Sequence, residues 1–293
     1  MIGHIRSFLR LVAFEHSVFA LPFAYLASLT AMHGAADGAT GWVQWDVLLL
    51  VTVAMVAGRT FAMAANRIID RHVDAQNPRT AQRELVTGAV SLRVAYVGSI
   101  VSLVFFFGSA ALLNPLCLAL SPLAVIPLIV YPYGKRFTDF PHAILGLAQM
   151  VAPIGAWLAV TGTFEGSLPA MVLGLAVGLW IGGFDLIYAC QDVEADRRIG
   201  VRSFPARFGI AAALHTSTAV HTVCVGLFVY FGLSMGFGWL YFVGLALTFV
   251  VFVYEHAIVK PSDLSKLNRA FFTANGVIGI VLFGFAVGDL LMR

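Results

Sequence analysis

Residues 66–80 read NRIIDRHVDAQNPRT and place an amide and two carboxylates, Asn66, Asp70 and Asp74, at four-residue intervals. On a helix, positions i and i+4 project from one face, so these three form a single column. A second stretch, residues 185–209, reads DLIYACQDVEADRRIGVRSFPARFG. It spaces Asp185, Asp192 and Asp196 by seven and four residues, again one helical face, with Tyr188 one turn from both Asp185 and Asp192. Five carboxylates gathered at one end of a bundle repel each other, so something positive must offset them. Oxygen ligands with no His or Cys partner at metal spacing point to Mg²⁺ rather than zinc. Mg²⁺ takes one or two carboxylates and completes its shell with water and phosphate, so two such clusters suggest a diphosphate bridged between them. Cations stand where that anion needs them. Arg59 lies seven residues before Asn66, at nearly the same helical azimuth, and YPYGKR spans Tyr131 to Arg136. Arg83, Arg197, Arg198 and Arg202 follow the two acidic stretches, and together these charges could neutralise a departing pyrophosphate.

The elements that must position these residues are set by composition. The chain has 293 residues, is 60% hydrophobic and only 11% charged, and has a mean hydropathy of +0.89. Soluble domains carry about a quarter charged residues, so this chain is solvated by lipid. No Asp, Glu, Lys or Arg occurs from Val94 to Gly134 or from Phe208 to Tyr254. Each run fits two spanning helices of roughly 20 residues. Asn114-Pro115 supplies the turn in the first, and the segment from Gly232 to Gly238 in the second. The whole chain then reads as nine spans, near Leu11–His33, Asp46–Ile68, Ser91–Leu113, Pro115–Tyr133, Pro141–Thr161, Leu168–Cys190, Ile210–Phe231, Trp239–Val259 and Arg269–Leu290. All are helical, because the backbone must satisfy its own hydrogen bonds in hydrocarbon, and the alternation of a barrel is absent. The first is too long for a signal-peptide core and reads as an uncleaved anchor.

Charge gives the orientation. On the nine-span reading, nearly all Lys and Arg fall on one side; Arg293 lands on the other and Arg59 lies within a span. The positive-inside rule places that side, and both acidic clusters, in the cytoplasm. The net charge of +3 is therefore a topological signature, and a nucleic-acid partner has no support. Cys117, Cys190 and Cys224 are scattered and show neither a disulfide framework nor metal spacing. Glu15-His16 and Glu255-His256 are sequence neighbours, which do not share a helix face, so neither is a dyad by spacing. Glu255-His256 is expected at the membrane interface, and His215 and His221 as interhelical hydrogen-bonding groups rather than ligands. Gly174-x3-Gly178 and Gly284-x3-Gly288 predict close helix packing. The plain alternative for the acidic columns is a solvated helix end paired with neighbouring arginines; for Arg59 it is a structural ion pair or a snorkelling side chain.

NRIIDRHVDAQNPRT followed by ELVTG, then YPYGKR, then DLIYACQDVEADRRIGVRSFPARFG resemble the UbiA-type intramembrane aromatic prenyltransferases. The motifs occur in order and cover both halves of the chain. The resemblance implies one all-α domain over residues 1–293, with pseudo-repeated halves and nine transmembrane helices around a central cavity open to the cytoplasmic face. It implies an integral protein of a bacterial inner membrane with no obligate protein partner. It implies Mg²⁺-dependent transfer of a polyprenyl group from a polyprenyl diphosphate to a hydroxylated aromatic acid in quinone synthesis. Asn66, Asp70 and Asp74 would form the first Mg²⁺–diphosphate site, and Asp192 and Asp196 the second. Asp185 and Tyr188 match inner positions beside the reacting carbon, with Asp70 and Asp192 counted among the catalytic groups. Arg59, Arg83, Tyr131, Lys135 and Arg136 match positions that contact diphosphate or the acceptor carboxylate. The stretch RLVAFEHSVFALPFAYLASL is similar to members that prenylate 1,4-dihydroxy-6-naphthoate in the futalosine branch of menaquinone synthesis. Many relatives carry Lys-Pro near Glu15-His16, which leaves 4-hydroxybenzoate of ubiquinone synthesis as the other acceptor. A transporter of an anionic or phosphorylated substrate is the alternative class, because intramembrane acids and an arginine also mark substrate paths.

Overall fold

A computed structural model describes residues 20–35 and 41–293. In chain order its helices are α1 (Leu21–Ala35), α2 (Trp45–Asp74), α3 (Glu84–Thr87), α4 (Leu92–Leu113), α5 (Pro115–Phe137), α6 (Pro141–Thr161) and α7 (Leu168–Ala189). They continue as α8 (Val193–Ile199), α9 (Phe204–Phe208), α10 (Ile210–Ser234), α11 (Trp239–Ile258) and α12 (Asn275–Leu291). A 3-10 turn, Cys190–Asp192, joins α7 to α8, and a π-helical turn, Arg269–Ala274, leads into α12. Among the described residues no strand forms; Lys260 and Asp263 make an isolated bridge.

Eight helices among the described residues are long and apolar enough to cross a membrane, and they coincide with the second to ninth expected spans. The first expected span, Leu11–His33, is described only from residue 20 onward, where α1 begins. α2 runs past the expected Ile68 to Asp74, so Asn66, Asp70 and Asp74 lie on one continuous helix. Helix ends follow local chemistry. The Asn114 side chain accepts from the Cys117 amide at 2.9 Å to cap α5, with Pro115 at the first helical position. Its own amide donates to the Leu158 carbonyl at 2.9 Å and ties that turn to α6. Gly200 closes α8 at φ +78°, a left-handed conformation that suits glycine.

α7 is the central helix, packed between α6 and α10, with α1 against α6 and α2 against α4 and α5. The α6–α7 contact is close because both sides are glycine: a Cβ on Gly178 would sit 2.7 Å from the Gly146 carbonyl oxygen. The expectation for Gly174-x3-Gly178 therefore holds. That for Gly284-x3-Gly288 holds only in part. Gly288 meets Leu240 at 3.0 Å, whereas among the described residues nothing lies within 4 Å of a Cβ on Gly284. Phe23, Trp180 and Phe228 form a fully buried aromatic cluster in which Phe23 lies tilted against Trp180 at 5.1 Å and stacked on Phe228 at 5.7 Å. The outside is apolar: Trp45, Leu49, Val104, Leu112, Leu233 and Trp239 are all more than half exposed. Soluble proteins do not present such a surface, and the chain is an integral membrane protein. Glu255 lies in the last turn of α11, near the end of that span. It is fully buried against its neighbours, and Asn275 of α12 donates to its carboxylate at 2.9 Å. His221 does bond between helices, to the Trp180 carbonyl at 3.0 Å, while His215 is exposed.

Candidate active site

A cavity of about 810 Å³ opens between α2, α4, α5, α6 and α7 and the segments that follow α2 and α7. Asn66, Asp70 and Asp74 line it, and so do Asp185, Tyr188, Asp192 and Asp196. The two acidic stretches, distant in sequence, thus share one chamber. The 3-10 turn at Cys190–Asp192 interrupts the single helical face expected for Asp185, Asp192 and Asp196, yet all three reach the cavity.

Each carboxylate is held. Asp70 is 2% exposed and accepts from Lys135 Nζ at 2.6 Å and Arg136 Nη1 at 3.3 Å. Asp74, also buried, takes Arg83 Nη1 at 2.6 Å. Asp192 receives a two-pronged fork from Arg79, Nε at 2.9 Å and Nη2 at 2.6 Å, and a further bond from Asn77 Nδ2 at 2.9 Å. Asp196 accepts from Ser203 Oγ at 2.7 Å. Burial opposes the charge on Arg79, but its hydrogen bonds and attraction to Asp192 outweigh it and hold its pKa above the ordinary arginine value. The acids do pair with neighbouring cations, as the plain alternative has it. Asp70 and Asp74 are nevertheless buried, so the helix end is not a solvated one.

Arg59 and Tyr131 line the same cavity, and Arg59 Nε is buried with no hydrogen-bond partner among the described residues. Lys135 and Arg83 line it too. Arg136 reaches Asp70 from outside the cavity lining, anchored to the carbonyls of Pro132 at 2.9 Å and Ile69 at 2.8 Å. Arg197 and Arg198 stand apart from it and bond the Ala206 and Gln76 carbonyls. Arg202 borders the cavity but spends its guanidinium on Asp139 at 3.1 Å and the Phe137 carbonyl at 2.8 Å. Glu15-His16 lies outside the described residues.

Three further side chains belong to the site that spacing does not reveal: Asn77, Arg79 and His142. Asn77 and Arg79 follow the end of α2, where the chain turns back, so helical periodicity says nothing of them. His142 bonds Asp185 Oδ2 through Nδ1 at 2.6 Å, while its buried Nε2 has no partner among the described residues. The only local hint is its place at the start of α6, just after YPYGKR. Tyr188 stacks on Phe271 with centroids 4.0 Å apart and lies 5.3 Å beneath the Arg79 guanidinium. Away from the acids the lining is hydrocarbon, with Met55, Phe106, Leu120, Leu128 and Ile154.

The arrangement therefore has a charged end and a greasy end. Oxygen donors alone, Asn66, Asp70, Asp74, Asp192 and Asp196, make a ligand set that fits a hard divalent cation. Surrounding cations suit an anion bound with it, and the apolar remainder suits a hydrocarbon chain.

The comparisons agree with this geometry. A model of the UbiA prenyltransferase family matches residues 27–277. A 4-hydroxybenzoate octaprenyltransferase from Saccharophagus degradans is 30% identical over 258 residues, 86% of this chain and 84% of that relative. The apo structure of a UbiA homolog from Aeropyrum pernix K1 superposes with a TM-score of 0.84 at 34% identity, covering 94% of this chain and 98% of that one. A UbiA homolog from Archaeoglobus fulgidus bound to GPP and Mg²⁺ shares the fold, with a TM-score of 0.70 at 20% identity over 97% of this chain and 99% of that one. Of the two classes weighed from sequence, the enzyme is the one found: the chain belongs to the UbiA prenyltransferase family.

Proposed function

We propose that the chain transfers a polyprenyl group from a polyprenyl diphosphate to the ring of a hydroxylated aromatic acid, as a step in quinone synthesis. The observation that carries this reading is the convergence of Asp70 and Asp192, from two distant motifs, on one cavity whose other end is hydrocarbon. The naming of its relatives favours 4-hydroxybenzoate as acceptor. Half of the stretch that pointed to 1,4-dihydroxy-6-naphthoate, residues 10–19, lies outside the described residues. We read residues 1–293 as one domain of nine spans, with the cavity mouth at the cytoplasmic face of a bacterial inner membrane, from the segregation of Lys and Arg.

Asn66, Asp70 and Asp74 on one side and Asp192 and Asp196 on the other would hold Mg²⁺, which when bound supplies positive charge to the diphosphate oxygens. Support comes from the divalent ion and diphosphate of the Archaeoglobus fulgidus homolog. Arg59, Arg83 and Lys135 add fixed positive charge around the leaving group and lower the cost of breaking the allylic C1–O bond, whose electron pair departs with pyrophosphate. The apolar wall keeps water from the allylic cation. Tyr188 and Phe271, which both line the cavity, supply aromatic electron density beside it. A π pair of the acceptor ring forms the new C–C bond to C1. The ring proton then passes to Asp185, whose other partner, His142, orients the carboxylate and shares the charge.

The test is product formation. Purified protein is incubated with Mg²⁺, a polyprenyl diphosphate and either 4-hydroxybenzoate or 1,4-dihydroxy-6-naphthoate, and prenylated products are read by mass spectrometry. Asp70→Ala and Asp192→Ala are each expected to lose at least about 100-fold in kcat/KM, as for groups that act on transition-state charge. Asp74→Ala should lose less, and EDTA should abolish turnover. Near-normal rates in both Asp70→Ala and Asp192→Ala would overturn the reading.

A further inference from the structure

Outside the cavity, three metal-ligating side chains converge. His221 of α10 and Glu255 and His256 of α11 each bring one ligand atom to within 4.8 Å of the others, and none of the three lines the cavity. His221 Nδ1 is 2.9 Å from His256 Nε2 and 3.6 Å from Glu255 Oε2.

The partners of the cluster are compatible with a tautomer that turns its lone pairs inward. His221 Nε2 faces the Trp180 carbonyl at 3.0 Å, and a carbonyl only accepts, so the proton is on Nε2 and Nδ1 carries a lone pair. Thr218 Oγ1 is 3.0 Å from the Leu214 carbonyl and 3.1 Å from His256 Nδ1, and when its proton goes to the carbonyl it accepts from His256 Nδ1. His256 Nε2 is then also a lone pair. Glu255 Oε1 accepts from Asn275 Nδ2 at 2.9 Å, while the buried Oε2 has no hydrogen-bond partner among the described residues. In that tautomer three lone-pair donors stand within 4.8 Å of one another, an arrangement a cation stabilises; in the other, His256 Nε2 donates to His221 Nδ1 at 2.9 Å.

Each donor is also braced from behind, by a carbonyl, a hydroxyl and an amide respectively, the outer support that fixes tautomer and ring orientation in metal-ligating side chains. Ligands about 2.0–2.1 Å from one zinc ion in a tetrahedral site lie about 3.3 Å apart, and the observed 2.9 and 3.6 Å bracket that spacing. Two imidazoles and a carboxylate favour a borderline transition metal over Mg²⁺. We propose that His221, Glu255 and His256 bind one divalent transition-metal ion of the zinc class, which clamps α10 to α11 behind α7. Asn275, which also accepts from Trp180 Nε1 at 2.6 Å, carries the clamp on to α12 and α7.

The test uses the full chain in detergent, stripped with EDTA and titrated with Co²⁺ in excess Mg²⁺, which fills the cavity carboxylates. One equivalent of Co²⁺ should bind with visible d–d absorption, Zn²⁺ should displace it, and Zn²⁺ should raise the melting temperature. His256→Ala, at a partly exposed position, and Glu255→Gln should each weaken Co²⁺ binding by more than about 100-fold, the upper range for losing an outer-shell partner alone. Their monodisperse elution checks the fold. No saturable uptake by the wild type would mean that a proton fills the cluster, and would overturn the site. Uptake unchanged in both His256→Ala and Glu255→Gln, but lost in an Asp70→Asn/Asp192→Asn variant, would assign the ion to the cavity and overturn it as well.

Discussion

Two buried polar atoms without hydrogen-bond partners among the described residues, Arg59 Nε and His142 Nε2, belong to side chains that line the cavity. A buried donor or acceptor left unpaired is costly, so a bound substrate is the natural partner for each. Arg59→Gln removes charge-assisted hydrogen bonds worth about 1.5–3 kcal/mol and is expected to lower kcat/KM by about 10–100-fold. Arg59→Lys should recover only part of that, because an ammonium lacks the planar fork. Steady-state kinetics on both variants decides it; a Gln variant with wild-type kcat/KM would remove Arg59 from substrate binding. His142 acts through Asp185, so His142→Ala should lower kcat by about 100-fold, the low end for general acid–base groups, and leave the donor KM near its wild-type value. A rise in KM alone would instead make His142 a wall of the binding site. These two residues differ in how they could be found. Arg59 is legible because a lone charge inside a hydrocarbon run needs a reason. His142 is not, since its partner is 43 residues away and only the α6–α7 packing joins them.

At the scale of elements, the close approach of α6 and α7 sets the distance between His142 and Asp185. A Cβ on Gly178 would lie 2.7 Å from a backbone oxygen, which cannot swing aside as a side chain can. Gly178→Ala is therefore expected to destabilise the bundle by about 1–3 kcal/mol, seen as a lower melting temperature in detergent. Gly284→Ala, with nothing within 4 Å among the described residues, should be neutral or stabilising by up to about 1 kcal/mol, the gain of alanine over glycine in a helix. Equal shifts in the two variants would show that the glycine contact is not what holds α6 to α7. Hydrocarbon length made most of these elements readable: α6 spans Pro141–Thr161 as the sequence suggests. Misreadings cluster where the chain leaves lipid. α2 continues to Asp74 because its last polar turn still satisfies its own backbone, and the 3-10 turn at Cys190–Asp192 has no hydropathy signature. Spacing also says which face a glycine pair shares, never what lies opposite, so Gly174-x3-Gly178 and Gly284-x3-Gly288 read alike and pack differently.

For the molecule as a whole, the acidic columns were legible because four-residue spacing is a property of a single helix. The cluster of His221, Glu255 and His256 was not, because it needs two helices and the rule for adjacent residues considers only one. The same limit applies to the chamber, whose depth no single span reveals. Gly155 lines it about 20 Å along α6 from His142, and among the described residues nothing lies within 4 Å of a Cβ placed there. If the donor's hydrocarbon tail runs from the acids into the greasy end, a bulky side chain at this position blocks the tail and spares the head. Gly155→Phe is then expected to lower kcat/KM for a long polyprenyl diphosphate by about 10–200-fold, the range over which an apolar pocket discriminates by size. Turnover of geranyl diphosphate, whose tail stops short of Gly155, should be retained. Competition between a long and a short donor in one reaction, with both products quantified by mass spectrometry, measures the ratio directly. An equal loss for both donors would mean that the tail leaves the chamber elsewhere, through the side of the bundle into lipid.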